Sequence, residues 1–556
     1  MKNQTAIGSL VLFCALAMVT PALADDTPQP TEIKIEDLSD GQVIRTVIQR
    51  STAKRLTAEE QDQLAPTIER FIKARKEKLE KSDQHPWMHP VPNDRNVNPD
   101  DVVPRNPEVV PGRSVAGTDP LSLFVNTITS SVSPANSSTV NEPSVVASND
   151  RVHYTANWYS ATSDNLGDTF TYVNPFSGPF AAPSGEFMCC DQTTAFDPNS
   201  NTIFWLQQYI PNNFTTPSTN TGTQRINVDQ DSDGTWDCAY DINTVNSGFS
   251  DNTWFDFPDL VVSDNYLWHA SNVFNHNPHS FVGGYSARYP LAELSQCSGS
   301  LTINAFTTNH GSLRFVRGAD TTMYFADHNS TAQMILWTWP DADDNPTSVN
   351  RSITGWLNST RICGSPDGRE WCGGMDSRIQ SGFKSGSTIG FMWTASQGGG
   401  FTKPYTRIST FDTSNNLSHI EDIDIWSSTV GFVHASSAVN SNGQIGGTIL
   451  WGGASDFQSC SAWMAESPSA AGFSPFDTVT ALNGTSGPSS NRSGDYLMSA
   501  TYYPNTQQFV GACFALTSTS RSQSRFLHFG RESSTILIFS DGFEDGTMDQ
   551  WSSSIP

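Results

Sequence analysis

Residues Asn141–Tyr172 read NEPSVVASNDRVHYTANWYSATSDNLGDTFTY and predict three short β-strands in succession. The run from Val152 to Trp158 is rich in β-branched and aromatic residues, and Asn149-Asp150 before it is a turn signal. Gly167 lies in a tight polar loop ahead of the third strand. Apolar runs of strand length recur between Gly, Pro, Asn and Asp clusters as far as about Gly530, without a convincing helix. This part of the chain is therefore predicted to be an all-β domain.

The strand-rich region divides into seven segments of about 55 residues, within reach of a four-stranded blade period. Each segment opens with a polar or charged residue before a run of small and β-branched residues. The openings are Glu142-Pro-Ser-Val, Cys190-Asp-Gln-Thr, Asp256-Phe-Pro-Asp-Leu, Gly318-Ala-Asp-Thr, Asp376-Ser-Arg-Ile, His434-Ala-Ser-Ser and Gly494-Asp-Tyr-Leu. A pair of β-sandwiches would also have short strands but would not explain these recurring openings. We therefore predict a β-propeller with seven blades.

Several stretches of the chain resemble the sialidase-like (BNR) β-propellers. The loop Ser163-Asp-Asn-Leu-Gly-Asp-Thr-Phe170 resembles their Asp-box, with Asn165 where the family has Asp. Pieces such as EPSVVA, CCDQTTAFDP, GFMWTASQGGGF and RSGDYL are similar to secreted bacterial proteins of this kind, over roughly residues 141–531. The resemblance implies a propeller fold, and the Asp-box is a structural element. The chain has no Arg-Ile-Pro element and no assignable arginine triad, so sialidase activity itself is not predicted.

The first residues carry the pattern of a signal peptide. Residues 6–19 form an apolar segment behind Lys2, and Ala22-Leu-Ala24 follows with the small-x-small spacing of a cleavage site. An uncleaved membrane anchor would need about 20 apolar residues, more than this segment has. We therefore predict that residues 1–24 are removed and that the protein is secreted to the extracellular space or the periplasm.

Other segments flank the predicted propeller, which we place at residues 135–535. Residues 25–84 are predicted to be helical, because long charged residues follow a helical apolar rhythm and Thr57-Ala-Glu-Glu60 is a capping box. Residues 85–134 are rich in Pro, Asn and Asp and predict a linker. The acidic tail, residues 536–556, resembles a Gly-Phe-Glu-x-Gly…Trp ending of secreted bacterial proteins. It is a sorting tag that retains the protein at the cell surface, the stump of a jelly-roll strand, or a frayed terminus.

The chain is strongly acidic, with 31 Lys and Arg against 56 Asp and Glu and a formal net charge of −25. Such a surface repels polyanions, so nucleic acid, anionic membranes and acidic polysaccharides are not expected partners. Divalent cations and neutral glycans suit it better, although acidity also serves simply to keep a secreted protein soluble. No segment after the signal peptide is long and apolar enough to span a bilayer, and we expect a monomer.

Eight cysteines remain after Cys14 leaves with the signal peptide, and an even number in an exported chain favours disulfides. The pair Cys363–Cys372 brackets the polar loop GSPDGREW and is predicted to close on itself. The adjacent pair Cys189–Cys190 leaves two alternatives. A bond between neighbours forces a strained turn, because their Cα atoms lie only about 3.8 Å apart. Otherwise each cysteine pairs elsewhere, for instance with Cys238 or Cys297.

One acidic hairpin predicts a calcium site. Asp229, Asp231, Asp233 and Asp237 stand at the spacing Asp-x-Asp-x-Asp-Gly-x-x-Asp, and Gly234 permits the sharp turn that lets alternate carboxylates converge. The pattern resembles the calcium hairpins of integrin-type propellers. We predict a structural Ca²⁺ here; the alternative is an acidic turn that binds nothing.

The segment openings predict a functional site, because in a propeller the starts of the innermost strands surround the mouth of the central channel. The residues predicted to face this funnel are Glu142, Asp191, Asp256, Asp376, Arg378, His434, Arg492, Asp495 and Tyr496. Crowded carboxylates raise one another's pKa, which places a protonated acid beside an ionised base or nucleophile, as glycoside cleavage requires. The non-catalytic alternative is that these side chains bind water in a channel or form ion pairs with the arginines.

We assign roles within the funnel as follows. Asp191 and Asp376 are the candidate acid and base, and Arg378 and Arg492 orient the substrate. Asp495 and Tyr496 complete the catalytic set. The remaining substrate-binding candidates are Glu142, Asp256 and His434, together with Trp158, Trp254 and Trp393, which we expect to stack on sugar rings.

Two functions are predicted for this arrangement. The first is the processing of an extracellular glycan, with chemistry like that of a glycoside hydrolase. The alternative is a non-catalytic ligand-binding or adhesion protein at the cell surface. Serine hydrolase chemistry is excluded as a prediction, because no Gly-x-Ser-x-Gly surrounds a candidate serine.

Overall fold

The computed structural model describes residues 41–57, 59–61, 63–64, 97–114, 119–133, 137–211, 222–276, 280–468, 476–490 and 493–534. Several sequence predictions lie wholly or partly outside these residues, namely the signal peptide, residues 25–40 and 65–84 of the helical segment, residues 85–96 of the linker, the C-terminal tail and the placement of Arg492.

Thirty β-strands account for most of the described chain. Two come first, β1 (Gln42–Gln49) and β2 (Leu121–Ile128). Sheet 1 comprises β3 (Ser144–Ala147), β4 (Val152–Ala156), β5 (Tyr159–Ser163) and β6 (Thr171–Val173). Sheet 2 comprises β7 (Glu186–Asp197), β8 (Thr202–Pro211), β9 (Thr223–Asp229) and β10 (Cys238–Asn243). Sheet 3 comprises β11 (Thr253–Val262), β12 (Tyr266–Asn275), β13 (Phe281–Pro290) and β14 (Ser300–Thr308).

The later strands repeat the same arrangement. Sheet 4 comprises β15 (Arg314–Arg317), β16 (Thr322–Ser330), β17 (Gln333–Pro340) and β18 (Thr347–Ser352). Sheet 5 comprises β19 (Ile379–Ser385), β20 (Thr388–Ala395), β21 (Tyr405–Asp412) and β22 (Ser418–Ile425). Sheet 6 comprises β23 (Val430–Val433), β24 (Ala438–Val439), β25 (Ile445–Gly453), β26 (Asp456–Ala465) and β27 (Asp477–Leu482). Sheet 7 comprises β28 (Ser499–Thr501), β29 (Phe509–Ser518), β30 (Arg521–Arg531) and, at its outer edge, β2.

Each sheet is an antiparallel meander, and the sheets are arranged around a ring. The innermost strands contact one another in the order β3, β7, β11, β15, β19, β24 and β28, and β28 contacts β3 again. Between sheets 4 and 5 this contact is a short parallel pairing of β15 with β19. Inner strands such as SVVA in β3 and SAT in β28 consist of small and β-branched residues, because little space remains near the axis of a ring. The fold is therefore an all-β propeller, as the sequence predicted.

The ring is closed by the N-terminal side of the chain. Strand β2 pairs antiparallel with β30, from Leu121 opposite Arg531 to Ile128 opposite Arg525. The closure covers the outer edge of β30, which would otherwise present unpaired backbone groups. The boundary predicted between a linker at 85–134 and a propeller at 135–535 is therefore wrong, because β2 is part of sheet 7.

Part of the predicted helical segment, residues 25–84, is a strand and not a helix. Strand β1 pairs antiparallel with β14, from Gln42 opposite Thr307 to Gln49 opposite Ser300, and extends sheet 3 outward. Its Val and Ile residues suit a half-buried sheet surface, and the edge of β14 supplies the partner that the local sequence could not reveal. The capping box does form, since the amide of Thr57 donates to Glu60 at 3.0 Å and the amide of Glu60 to the Thr57 hydroxyl at 3.3 Å.

Helices are short in the described part of the chain. The α-helix α1 is Leu291–Leu294, and 3₁₀ turns lie at Pro99–Asp101, Ser130–Val132, Gln230–Ser232, Thr413–Asn415 and Glu532–Ser534. Among the described residues, no helix has the length and apolar character needed to cross a membrane.

Three disulfides join parts of the ring. Cys363–Cys372 closes the loop before β19, which confirms the prediction. Cys238–Cys297 joins β10 to the segment before β14, and Cys460–Cys513 joins β26 of sheet 6 to β29 of sheet 7. Cys189 and Cys190 are free thiols in this structure, so neither of the two predicted pairings is present in it. The partners named for that pair, Cys238 and Cys297, bind each other across a Cα separation of 5.8 Å.

Candidate functional site

We call the residues that lead into the innermost strands the rim. Glu142 lies two residues before β3, Asp376 and Arg378 lie directly before β19, and Asp495 and Tyr496 precede β28. The rim also includes His434, between β23 and β24. Six of the seven predicted openings fall at innermost strands: four lie shortly before β3, β19, β24 and β28, and two, at Asp191 and Asp256, lie within β7 and β11, and we include these two in the rim. The fourth is wrong, since Gly318 follows β15.

Two acids of the rim lie at breaks in their own strands. In β7 the pairing with β8 is interrupted between Met188 and Gln192, and Asp191 lies within the interruption. In β11 the pairing with β12 is interrupted between Asp256 and Asp259. A bulge of this kind re-aims a side chain away from the regular alternation of the sheet, and bulges are common next to active sites.

The backbone of the rim adopts left-handed conformations at several lead-ins. Glu142 has φ of 51°, Phe257 56°, Ser312 51° and His434 50°. All four are buried residues with side chains, which pay a steric cost in this region of conformational space. Such strain persists only where the surroundings enforce it, and it is concentrated at functional sites. Left-handed backbone therefore recurs in four of the sheets at this end of the ring.

An ion-pair cluster lies on one side of the rim. Arg378 Nε is 2.7 Å from Asp376 Oδ2, and Arg378 Nη2 is 3.2 Å from Asp495 Oδ2. Burial by itself raises the pKa of Asp376, but the charge of Arg378 and its hydrogen bonds bring that pKa below the ordinary value. The Asp376 side chain is 20% exposed, more than its two partners. It is therefore an ionised carboxylate that remains accessible.

Asp191 has the opposite character. Burial raises its pKa well above the ordinary value, and the neighbouring charges of Asp256, Cys189 and Asp495 raise it further. Its Oδ2 accepts a hydrogen bond of 3.2 Å from the amide of Phe257. Its surroundings therefore favour the protonated form of the Asp191 carboxyl group. Asp495 influences both Asp191 and Asp376, so the two carboxyl groups with opposite pKa shifts share a neighbour.

His434 and Tyr496 are both neutral. Burial lowers the pKa of His434 to about 4, against the raising effect of the nearby acids. Its Nδ1 lies 3.1 Å from Gln380 Oε1, and Nε2 is buried without a hydrogen-bond partner. Burial and the charges of Asp191 and Glu142 raise the pKa of Tyr496 well above its ordinary value, and its hydroxyl donates to the Gln192 carbonyl at 3.3 Å. These groups can donate or accept hydrogen bonds without carrying charge.

The sequence analysis missed two residues of the rim, Arg314 and Phe257. The guanidinium carbon of Arg314 lies 3.7 Å from the centre of the Phe257 ring, and that of Arg378 lies 4.1 Å from it. Arg314 also donates to the Phe257 carbonyl at 3.3 Å. The stretch RFVR, residues 314–317, is a strand signal that the misplaced fourth opening passed over.

The tryptophans predicted to stack on sugars lie inside the core. Trp158 is 3% exposed and stacks on Phe176, Trp254 packs beside Phe274, and Trp393 is fully buried. None of these three rings presents a free face, so the stacking prediction is wrong. Aromatic residues near a strand end serve the core as readily as a ligand, and only the packing distinguishes the two.

A cavity of about 90 Å³ lies among the innermost strands, and it is lined mainly by small and apolar residues such as Val146, Ala195 and Val261. Its arginine, Arg317, is paired with Asp259 at 2.7 Å. Asp191, Asp376 and Asp495 do not line this cavity.

The acidic hairpin is held together by its own backbone. Asp229 Oδ2 accepts from the amide of Gly234 at 3.0 Å, Asp237 Oδ2 from that of Gln230 at 2.9 Å, and Asp233 Oδ1 from that of Thr235 at 2.7 Å. Asp229 Oδ1 is buried without a hydrogen-bond partner.

Two further features bear on cation binding. Arg151 donates to the carbonyls of Ser232 and Asp233 in the hairpin. Among the described residues, the single group of three close ligand atoms is Cys363, Glu370 and Cys372, whose sulfurs form a disulfide. The hairpin carboxylates therefore do not converge in this structure, although the buried Asp229 Oδ1 fits a cation ligand.

No family model matches the chain, and no curated protein matches it. Among solved structures it is similar to a protein of unknown function from Dyadobacter fermentans, with 9% identity, covering 61% of this chain and 94% of the other, at a TM-score of 0.36. It is also similar to a Penicillium chrysogenum alpha-L-arabinanase complexed with arabinobiose, with 10% identity, 73% and 98% coverage and a TM-score of 0.35. A Trypanosoma rangeli sialidase matches with 8% identity, 65% and 59% coverage and a TM-score of 0.34. TM-scores and identities this low do not support any inference about activity, and it is the strand topology that defines the fold.

Proposed function

We propose that the rim binds and cleaves an extracellular glycan, with Asp191 as general acid and Asp376 as the ionised base or nucleophile. Glycoside cleavage needs one protonated and one ionised carboxyl group on either side of the scissile bond. The observation that carries the proposal is the opposite direction of the two pKa shifts around the shared neighbour Asp495. Arg378 favours the ionised form of Asp376, and burial favours the protonated form of Asp191.

The proposed roles predict a pH profile. Activity falls as the pH drops through the lowered pKa of Asp376, below 3.8, because that carboxylate is then neutralised. It also falls as the pH rises through the raised pKa of Asp191, because the acid then loses its proton. The result is a bell-shaped profile.

The test is an incubation of the purified protein with neutral polysaccharides and aryl glycosides. Asp191→Asn and Asp376→Asn should each lower turnover by at least about a hundredfold, the scale of general acid–base catalysis. Asp456→Asn, at an exposed residue outside the rim, is the matched control. Turnover that survives both rim substitutions contradicts the site assignment. Binding on a glycan array without any turnover contradicts catalysis and favours a ligand-binding or adhesion protein.

We further propose that the protein acts outside the cytoplasm. Its three disulfides and acidic composition support this, because disulfides persist in oxidising compartments. Detection of the processed chain in a periplasmic or culture fraction tests the proposal. If the tail retains the protein at the cell surface, deletion of residues 539–556 should move the protein from the cell-surface fraction to the culture medium.

We also propose that the seven meanders are the seven blades of a sialidase-like propeller. The loop between β5 and β6 supports the resemblance to an Asp-box, since Asn165 Oδ1 accepts from the amide of Thr169 at 3.0 Å. Ser163 Oγ accepts from the amide of Gly167 at 2.8 Å. Asn165 therefore folds back onto the hairpin in the manner that the family's Asp does.

We propose that the acidic hairpin takes a structural Ca²⁺. The buried Asp229 Oδ1 supports the proposal because it lacks a donor, and carboxylate oxygens are the ligands that Ca²⁺ prefers. Burial raises the pKa of Asp229 to about 7, with Asp233 and Asp237 adding to the rise. A bound cation would favour its charged form, so calcium should stabilise the fold more at pH 8 than at pH 5.

A further inference from the structure

Two adjacent thiols lie at the rim. Within the described residues, the cysteines outside the three disulfides are Cys189 and Cys190. Cys189 is buried and packs with Ile210, Trp254 and Phe274. Cys190 is partly exposed, and Gln208 Nε2 lies 4.0 Å from its sulfur. The groups are close enough to affect one another's ionisation, since Cys189, burial and the charge of Asp191 all raise the pKa of Cys190.

The backbone that carries these thiols stands outside the sheet register. Met188 lies opposite Tyr209 and Gln192 opposite Gln207, so the three residues between them face one residue of β8. A disulfide between neighbours needs a strained turn, because adjacent Cα atoms lie about 3.8 Å apart, below the usual disulfide range. In a regular strand such a turn would break ladder hydrogen bonds. In this bulge it can form while the pairs on either side remain in place.

The surroundings favour redox chemistry over metal binding. Among the described residues, no third ligand atom lies close enough to both sulfurs to complete a metal site. A disulfide needs only the two sulfurs. Every other described cysteine is in a disulfide, which is the state expected in an oxidising compartment.

We propose that Cys189 and Cys190 are a redox pair, which a low-molecular-weight disulfide converts to a vicinal disulfide and thereby changes the position of Asp191. The Cys190 thiolate attacks the reagent disulfide and releases one reagent thiol. Cys189 then loses its proton and displaces the second reagent thiol, closing the ring. Two protein thiols are oxidised by two electrons, and the reagent disulfide is reduced to two thiols.

The reaction has a structural consequence for the site. The bulge whose backbone must turn to form the disulfide also contains Asp191, so formation of the disulfide alters the backbone of the proposed acid. Oxidation also removes the ionisable Cys189 thiol, whose charge contributes to the raised pKa of Asp191. The reduced and oxidised forms therefore differ in the residue that the proposed function uses as an acid.

The test reads the thiols and needs no turnover, so its failure is distinct from a failure of the proposed function. Folded full-length protein is incubated with oxidised glutathione, denatured, alkylated and digested with trypsin. The fragment 152–225 contains Cys189 and Cys190 and no other cysteine. We expect both alkylation sites to disappear together, leaving a fragment two hydrogen masses lighter than the dithiol. The rate should rise about tenfold per pH unit, because the thiolate is the nucleophile and the pKa of Cys190 is raised.

Single-site variants test the order of attack. Cys189→Ala should hold one glutathione on Cys190, because the resolving thiol is absent. A wild-type fragment that retains glutathione, or that remains doubly alkylated after incubation at pH 9, overturns the proposal. If the Cys189→Ala variant fails to fold, the alkylation state of the wild-type fragment still tests the proposal. Addition of a dithiol reductant should restore both alkylation sites in the wild type.

Discussion

Replacing Arg378 by Met removes the cation that the rim carboxylates share while keeping most of the volume of the side chain. The arginine is 8% exposed and lies within 3.2 Å of both Asp376 and Asp495. Removing one partner of a buried ion pair leaves an uncompensated charge and costs about 3–5 kcal/mol. The lost contact with the Phe257 ring adds to this cost. We expect the free energy of unfolding at pH 7 to fall by about 4 kcal/mol.

The pH dependence separates this mechanism from a general packing defect. In the wild type the lowered pKa of Asp376 contributes stability above pH 3.8, which is lost as the pH falls through the folded-state value. Without Arg378, burial raises the pKa of Asp376 above that of the unfolded chain, so the variant loses stability as the pH rises. The difference between the two proteins should therefore narrow from pH 7 to pH 4.

Urea unfolding followed by tryptophan fluorescence at both pH values measures the effect. Arg369→Met is the matched control, because Arg369 is 45% exposed and its pair with Asp367 should contribute at most about 1 kcal/mol. Asp376→Asn in the Arg378→Met background should recover part of the loss by removing the unpaired charge. An Arg378→Met variant that costs no more than the control, or a loss that is equal at pH 4 and pH 7, refutes the reasoning.

Three further predictions concern stability. Removing Cys460–Cys513 should lower the free energy of unfolding by about 4 kcal/mol and removing Cys363–Cys372 by about 2.6 kcal/mol. The first bond constrains the unfolded chain more, because its sequence separation is 53 residues and that of the second is 9. Equal losses in urea titrations would contradict this ranking. Gly167→Ala should lower the melting temperature far more than Gly368→Ala, since both glycines have positive φ but a Cβ at 167 would lie 2.0 Å from a buried ring, whereas none lies near 368. EDTA should lower the melting temperature of the wild type but not of Asp231→Ala, and an EDTA titration without effect on the wild type would remove calcium from the hairpin.

The rim was predictable from the sequence to a large extent, for a local reason. In several sheets a polar or charged residue lies at or shortly before the inner strand, and small and β-branched residues follow it near the axis of the ring. That pattern is visible in Glu142-Pro-Ser-Val and in Asp376-Ser-Arg-Ile without knowledge of any contact. It failed at the fourth strand, because the opening was placed at Gly318, after β15 (Arg314–Arg317) instead of before it.

The sequence by itself determined the features that depend on neighbours along the chain: most strands and turns, the all-β class, the Thr57 capping box and the Cys363–Cys372 disulfide, whose sequence separation is 9. Only the tertiary structure decided features whose partners lie far away. Strand β1 exists as a strand because β14, more than 250 residues later, offers an edge. The opposite pKa shifts of Asp191 and Asp376 arise from burial and from charges brought together by ring closure. Local patterns record the conformational preference of a segment, whereas burial and charge pairing are properties of the assembled ring.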